Sequence, residues 1–270
     1  MDRTLSPRFP IRLVMGLALA TAALPAAAAA RIACGDVLPP GTTVVLTQDV
    51  GSCDGGDWAL AVDGAVLDLN GHTFSCADTD GDGAVPDGIV LFGRGAVLRN
   101  GTVRGCYANV FLAGRGGHLV EDVVSTGAAE DGVHVQPRSN RSRIQRTTSN
   151  ANADDGFELR GSRNRVEGCV ADDNGEDGID VAEGARNTVV SSAAARNVQS
   201  GIDVGAPATR VLANTVRDNG GFGIEVRSRR NRVLGNTASG SGGGPDIVSR
   251  RCRGNRFRDN VVAAPGVCVR

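Results

Sequence analysis

A motif of the form Gly-apolar-x-apolar returns along the chain at intervals of 21 to 24 residues. Its copies include "DGIVL" at 87, "DGVHV" at 131, "DGIDV" at 177 and "FGIEV" at 222. A fixed period of this size is typical of solenoids, in which each unit packs on its neighbours and none folds alone. This feature therefore restricts the fold to a stack of similar units.

The pattern within each unit predicts short β-strands. Apolar residues alternate, as in Ile179 and Val181, in short runs between Gly, Asn, Asp and Ser. No segment has helical periodicity, and the 38 glycines would weaken any helix. A leucine-rich solenoid is therefore disfavoured, and the Gly-Gly-x-Gly-x-Asp runs of calcium-binding nonapeptide solenoids are missing.

A second column of small or polar residues follows an apolar residue by three positions in each unit. Asn tolerates the left-handed conformation of a tight bend, and stacked side-chain amides can hydrogen-bond from coil to coil. We expect a structural column in which Cys169 is a small buried residue and not a reactive thiol. Its members are Asn70, Asn100, Asp122, Thr147, Cys169, Ser192, Asn214, Asn236 and Asn260.

The recurring "DGIxV…NxVxxN" and the segments "AVLDLNGHTF" and "AVLRNGTVRGC" resemble those of right-handed parallel β-helix repeat proteins of the pectate lyase-like class. The resemblance covers residues 35–263. It implies one all-β domain, residues 31–270, of roughly nine to ten coils with about 22–23 residues each. Residues 31–58 would form an N-terminal cap and residues 264–270 would close the last coil. Because this fold serves many functions, the resemblance assigns no activity.

The first 30 residues have the layout of a secretory signal. Arg3, Arg8 and Arg12 precede the apolar "LVMGLALATAAL" and then "PAAAAA", which predicts cleavage near Ala30. We therefore expect the mature protein to be secreted, periplasmic or at the cell surface.

Seven cysteines in an exported chain indicate disulfide bonds and one thiol left over. Proximity in sequence suggests three pairs among the fifteen arrangements that six cysteines allow. The suggested pairs are Cys34–Cys53, Cys76–Cys106 and Cys252–Cys268.

Arginine supplies all 29 basic residues against 30 acidic ones, so no global charge selects nucleic acid or a membrane surface. Beyond the signal, no stretch approaches the roughly 20 apolar residues of a membrane span. We expect a monomer with no nucleic-acid partner and no membrane span.

Ionisable residues occupy one outward position on successive coils. If Ile179 and Val181 point inward, Asp180 points outward. Like charges on paired strands cost about 1 kcal/mol per pair in water. Solvent screening with nearby Arg, a bound cation, or a carboxyl kept protonated for glycoside-type catalysis could offset that cost. The column is His134, Glu158, Asp180, Asp203 and Glu225, of which the first four are the candidate catalytic residues.

A column of arginines precedes the apolar residue of the next strand, with Thr188 as its one break. We expect it to form a positive stripe beside the acidic one. The stripe would serve solubility and salt bridging, or would be a track that binds an acidic polymer such as a uronate polysaccharide. Its members are Arg143, Arg165, Arg210, Arg232 and Arg256.

Catalytic motifs of β-helix enzymes are mostly absent. Of the polygalacturonase pattern, "ADDG" at 153–156 resembles only the paired Asp, and a chain without Lys cannot supply the Arg-x-Lys. The Asp-Pro-His-Glu motif of the mannuronan epimerases is missing, and few aromatic residues are present for stacking sugars. We interpret His72 and His118 as turn residues, which leaves His134 as the histidine to test as an acid or base.

An insertion between Asn70 and Asn100 contains "DTDGDGAVPD", residues 78–87. It resembles the calcium loops of EF-hands and thrombospondin type 3 repeats, in which oxygens at alternate positions surround Ca²⁺. The loop departs from the EF-hand pattern where position twelve is Ile89 and not Glu, and an acidic solvated turn is the alternative. The predicted ligands of a structural Ca²⁺ are Asp78, Asp80, Asp82 and Asp87, with the carbonyl of Ala84.

Three functions remain open from the sequence. The leading hypothesis is a secreted, non-catalytic or carbohydrate-interacting surface scaffold. The alternative is a polysaccharide-active enzyme, a lyase, hydrolase or epimerase, that uses the outward carboxylate column. A third is an accessory exported protein that helps another protein to mature.

Overall fold

Short parallel strands follow one another through the whole part of the chain that the computed structural model describes, residues 32–56 and 58–266. No helix interrupts them within those residues. Each strand pairs with the equivalent strand one coil later, which builds a parallel β-helix with three faces. The predicted signal segment, residues 1–30, lies outside the described residues.

Sheet 1 carries the Gly-apolar-x-apolar motif. Its ten strands give ten coils within the described residues, which confirms the predicted all-β solenoid. The strands are β1 Val37–Leu38, β4 Trp58–Asp63, β7 Asp87–Phe92, β9 Val110–Leu112, β11 Val133–Val135, β14 Phe157–Leu159, β17 Ile179–Val181, β20 Ile202–Val204, β23 Ile224–Val226 and β26 Ile247–Ser249.

Sheets 2 and 3 meet at a sharp bend and share two long strands, β8 Val97–Arg104 and β10 Leu119–Thr126. Sheet 2 also contains β2 Thr43–Val45, β5 Val66–Asp68, β12 Arg143–Gln145, β15 Arg165–Glu167, β18 Thr188–Val190, β21 Arg210–Leu212, β24 Arg232–Leu234 and β27 Arg256–Arg258. Sheet 3 also contains β3 Val50–Cys53, β6 Thr73–Cys76, β13 Thr148–Asn150, β16 Val170–Asp172, β19 Ala193–Ala195, β22 Thr215–Arg217, β25 Thr237–Ser239 and β28 Val261–Val262.

The core is a set of columns of like residues inside the helix. Ile179, Ile202, Ile224 and Ile247 stack on successive coils of sheet 1, and each is at most 1% exposed. Burial of apolar surface contributes about 25 cal/mol per Å². Side chains alternate along each strand, so every second side chain lies in the core and the one between points outward.

The amide column hydrogen-bonds between coils, as predicted. The backbone N–H and the side-chain Nδ2 of Asn214 both donate to Asn236 Oδ1 at 2.9 Å. Most of the column does not supply the left-handed bend, however, and that expectation was wrong. In later coils the preceding residue makes the bend, as Ala213 does with a φ of 52°, which leaves the amide free to point inward.

A second asparagine ladder, which the sequence analysis missed, lies at the end of sheet 3. Asn152, Asn174 and Asn197 each donate from Nδ2 to the amide oxygen one coil later, the last of them to Asn219, at 2.9 Å. Both ladders fix the register from coil to coil because they satisfy buried turn groups only when equivalent residues are aligned.

Two of the predicted disulfides are confirmed, Cys34–Cys53 and Cys76–Cys106. The free thiol of Cys169 is buried, also as predicted. Cys268 lies outside the described residues, so its predicted bond to Cys252 stays a prediction.

Residues 37–53 supply β1, β2 and β3 and thus form a coil of their own. None of the described residues belongs to a helix that could cross a membrane.

Candidate functional site

The predicted outward column lies on sheet 1, where the structure brings all of its members together. Glu158 pairs with Asp180, and Asp180 with Asp203, in the parallel register of β14, β17 and β20. His134 and Glu225 extend the row on β11 and β23. We call this row the acidic strip; it consists of His134, Glu158, Asp180, Asp203 and Glu225.

The strip is not a solvated face, although solvent screening was one of the three offsets that the sequence left open. The side chains of Glu158, Asp180 and Asp203 are only 8%, 14% and 4% exposed. Arg160 contacts Glu158, and Arg227 contacts Asp203. Solvent screening therefore cannot be the main offset for their mutual repulsion.

A second row of carboxylates, missed by the sequence analysis, lies beside the strip. Its members stand at the start of a repeat, three positions before a residue of the strip, and all are buried: Asp131, Asp155 and Asp177. The N–H of Asp155 donates to Asp131 Oδ1 at 3.1 Å, and the N–H of Asp177 donates to Asp155 Oδ1 at 2.8 Å. Each of these carboxylates thus joins one coil to the next, and the recurring Asp-Gly in the sequence was the available signal.

His134 lies at one end of the strip between two carboxylates. Its Nδ1 is 2.8 Å from Asp131 Oδ2 and 2.8 Å from Glu158 Oε2. The ring of Phe111 stacks on it with a centroid distance of 4.9 Å and an interplanar angle of 9°. Burial alone would lower the pKa of His134, but the two carboxylates outweigh it and raise the pKa to about 9.

Neighbouring carboxyls differ in protonation. Burial opposes ionisation of Glu158, yet hydrogen bonds with His134 and Arg160 lower its pKa. Burial and adjacent carboxylates raise the pKa of Asp180 to about 8 and that of Asp155 to about 10. Burial also raises the pKa of Asp203 to about 7. Near neutral pH an ionised glutamate therefore adjoins protonated aspartic acids.

Two carboxylate oxygens in the strip have no hydrogen-bond partner among the described residues. They are Oδ1 of Asp180 and Oδ1 of Asp203, and both are buried. Together with Asp177, these residues offer carboxylate oxygens within 4.8 Å of one another. Such a group can hold a divalent cation or shared protons.

Arginines cover the outer edge of the strip, but they are not the ones predicted. Arg160 donates to Glu158 Oε1 at 2.6 Å, Arg227 contacts Asp203, and Arg250 contacts Glu225. The predicted stripe lies on sheet 2 and not beside the acidic residues on sheet 1. In each coil a turn separates the strand of sheet 1, such as β11, from the strand of sheet 2, such as β12. Its members Arg143, Arg165, Arg210, Arg232 and Arg256 align on β12, β15, β21, β24 and β27.

The inserted loop gathers a different set of carboxylates from the predicted one. Asp54, Asp78 and Asp80 offer oxygens within 4.8 Å of one another. Asp82 caps its own turn by accepting the N–H of Ala84 at 2.8 Å. Asp87 lies in β7 and accepts the N–H of Ala108 at 3.3 Å. Asp54 was missed because it comes from the preceding coil.

Comparison with known proteins gives a family and a set of similar folds. A family model described as "Right handed beta helix region" matches residues 87–262. No curated protein matches the chain.

Similar solved structures include the A-module of the Azotobacter vinelandii mannuronan C-5 epimerase AlgE6, at 16% identity and a TM-score of 0.56, covering 83% of this chain and 77% of that one. The periplasmic alginate epimerase AlgG is 14% identical, with a TM-score of 0.56 and coverage of 82% and 70%. The Dettilon tailspike protein is 17% identical, with a TM-score of 0.68, and covers 85% of this chain and 58% of its own. At these identities the likeness shows a shared fold alone.

Proposed function

The chain belongs to the right-handed β-helix family, and from that premise we propose that the acidic strip of sheet 1 acts on a polysaccharide by acid–base catalysis. The epimerases with a similar fold act on mannuronan and alginate, as their names state. That likeness supports a polysaccharide as the class of substrate. The chemistry of the strip supports catalysis.

The observation that carries the proposal is the pairing of Glu158 and Asp180 on adjacent strands, where their surroundings lower the pKa of Glu158 and raise that of Asp180. With Asp155, they offer carboxylate oxygens within 4.8 Å of one another. Most glycoside hydrolases use two carboxyl groups, one ionised and one protonated, whose environments separate their pKa values. Asp180 is therefore assigned as the proton donor and Glu158 as the base.

His134 and Phe111 complete the strip at one end. The imidazolium of His134 holds the Glu158 carboxylate through Nδ1, at 2.8 Å. Phe111 keeps the imidazole ring parallel to its own and adds an apolar surface beside the charged row. His134 is thus a positioning residue for the base in this proposal.

A non-catalytic carbohydrate-binding scaffold is the second candidate. It is favoured by the arginines Arg160, Arg227 and Arg250, which pair with carboxylates of the strip. Such pairing neutralises the row, and their half-exposed guanidinium groups can bind sugar hydroxyls or carboxylates without any turnover.

Export from the cytoplasm is part of the proposal. Two disulfides in the first three coils are compatible with an oxidising compartment. The Arg-rich, apolar first 30 residues would direct the chain there.

The test is an assay of the purified protein on uronate and neutral polysaccharides, which follows unsaturated-uronate absorbance, reducing ends and C5 epimerisation. We expect product with one class of polymer. Glu158→Gln and Asp180→Asn should each lower kcat about 100-fold or more. Asp218→Asn, an exposed aspartate with a φ of 55° that Asn tolerates, is the matched control. Binding without product in the wild type would leave the scaffold as the function.

A further inference from the structure

A groove lined by arginines runs along the helix axis at the turns between sheet 1 and sheet 2. It has a volume of about 600 Å³, and five of its lining residues are Arg115, Arg141, Arg163, Arg186 and Arg230. We call it the arginine groove. It does not include any residue of the acidic strip, and the sequence analysis did not single it out.

Repetition of the turn aligns these arginines. Arg141, Arg163, Arg186 and Arg230 share a left-handed φ of 58° to 64°, and Ala208 takes the same position with 57°. The N–H of Arg141 donates to Ser162 O, and the N–H of Arg163 donates to Ala185 O, so each turn residue bonds to the next coil in the same way. The same backbone geometry places these positions on one side of the helix at intervals of about 4.8 Å, and Ala208 interrupts the arginines between Arg186 and Arg230.

No carboxylate neutralises the groove. Across the described residues, none of these five exposed arginines forms an ion pair or a side-chain hydrogen bond, whereas Arg146, Arg160 and Arg196 do. The turn segments 113–118, 136–142, 160–164, 182–187, 205–209 and 227–231 contain nine Arg and a single acidic residue, Glu183. In a chain with 29 basic and 30 acidic residues, this is a concentrated positive field that lacks its counter-charge.

We propose that the arginine groove binds an acidic polysaccharide, whose carboxylates recur along the chain as the arginines recur along the helix. The guanidinium group binds a carboxylate through two parallel hydrogen bonds, which suits one uronate per arginine. No aromatic residue lines the groove, so a single-stranded nucleic acid would find no surface on which to stack its bases.

The inference rests on the proposed function for the choice of a polysaccharide, and it narrows that choice to the uronate class. Arg160 and Arg227 belong to the same turns and contact Glu158 and Asp203. A polymer held in the groove would therefore lie alongside the acidic strip.

The experiment measures binding of sodium polygalacturonate and alginate to the full protein by calorimetry, with dextran and an oligothymidylate strand as the other probes. The triple variant Arg141→Gln/Arg163→Gln/Arg186→Gln should lose affinity for the polyuronates about tenfold or more. The matched control is Arg210→Gln/Arg232→Gln/Arg256→Gln, which removes the same charge from the aligned arginines of sheet 2.

Binding of polyuronate that depends on the groove arginines, is spared by the sheet 2 variant and is absent for dextran would support the inference. Equal losses in both variants, tighter binding of oligothymidylate, or no polyuronate binding would overturn it. Binding that depends on the groove arginines without any turnover would contradict the proposed function and still support the arginine groove as a binding site. If the groove variant turned over a polyuronate with an unchanged KM, the proposed function would stand and the arginine groove would not be the binding site.

Discussion

At the residue scale, His134 differs from the other histidines in lying between two buried carboxylates. We expect its ring signals in NMR to titrate near pH 9, whereas burial lowers the pKa of His118. Asp131→Asn should lower the His134 midpoint by about one unit or more. His72→Gln, a change at a half-buried residue three coils away from the strip, should leave the His134 midpoint unmoved and helps to assign the signals.

The same shift predicts a pH dependence of stability. The pKa of His134 is raised above its unfolded value of 6.5 to about 9, so its ion pairs stabilise the fold fully below about pH 6.5. That contribution is lost as the pH rises through 9. His134→Gln should therefore destabilise the protein more at pH 6 than at pH 10, and a midpoint near 6.5 would contradict both expectations.

Asp180 changes stability with pH in the same direction as His134, but because its ionised form is the unfavourable one in the folded state. Its pKa is raised from 3.8 to about 8, so the folded state gains from the protonated carboxyl below pH 3.8 and loses that advantage as the pH rises to about 8. Asp180→Asn should raise the free energy of unfolding by on the order of 2 kcal/mol at pH 9 and change it little at pH 4. Denaturant unfolding at the two pH values measures this, with Asp218→Asn as control. A destabilised variant at pH 9 would mean that the carboxylate is held by a favourable partner such as a cation.

The strip could be predicted from alternation alone, because Ile179 and Val181 fix the direction of Asp180. Its burial could not, since it depends on how the turns fold over the sheet. The buried row of Asp131, Asp155 and Asp177 was missed, although each of them stands in a recurring Asp-Gly. Only the three-dimensional turn brings a residue three positions earlier against the same row.

At the element scale, the inserted loop separates two sets of candidate calcium ligands. The sequence predicts Asp78, Asp80, Asp82 and Asp87, whereas the structure groups Asp54, Asp78 and Asp80. If Ca²⁺ binds there, it should raise the Tm of the protein, and Asp54→Asn or Asp80→Asn should remove most of that rise. Asp82→Asn, whose carboxylate caps its own turn, should keep it. An equal rise in all variants would place the ion elsewhere.

The strands could be predicted better than the sheet on which a given row of side chains lies. Repeat period and alternation gave the strands and the column of Asn214 and Asn236. The arginine stripe with Arg210 and Arg232 was expected beside the acidic strip but lies on sheet 2, because a linear pattern does not show where a turn changes sheet. The unpaired arginines of the groove, such as Arg163, lie in turns, where alternation carries no information.

At the scale of the whole molecule, a coil pairs only with the coils before and after it. In such a stack, the free energy of unfolding is a sum of terms for single coils and for the interfaces between neighbouring coils. A substitution in one coil should therefore destabilise mainly that coil and its neighbours. Cys76–Cys106 joins the second coil to the third and encloses the inserted loop. The bond thus braces one end of the helix and touches no part of the acidic strip.

The double variant Cys76→Ala/Cys106→Ala should lower the free energy of unfolding by about 2–4 kcal/mol, because a loop of 30 residues is no longer closed. Amide hydrogen exchange followed by mass spectrometry should rise in the coils around residues 58–112 and stay unchanged from β14 onward. Cys169→Ala is the matched control, since that thiol is buried and burial raises its pKa to about 11. Exchange that rose equally in all ten coils would show that the solenoid opens as one cooperative unit, and the acidic strip would then depend on the distant disulfide.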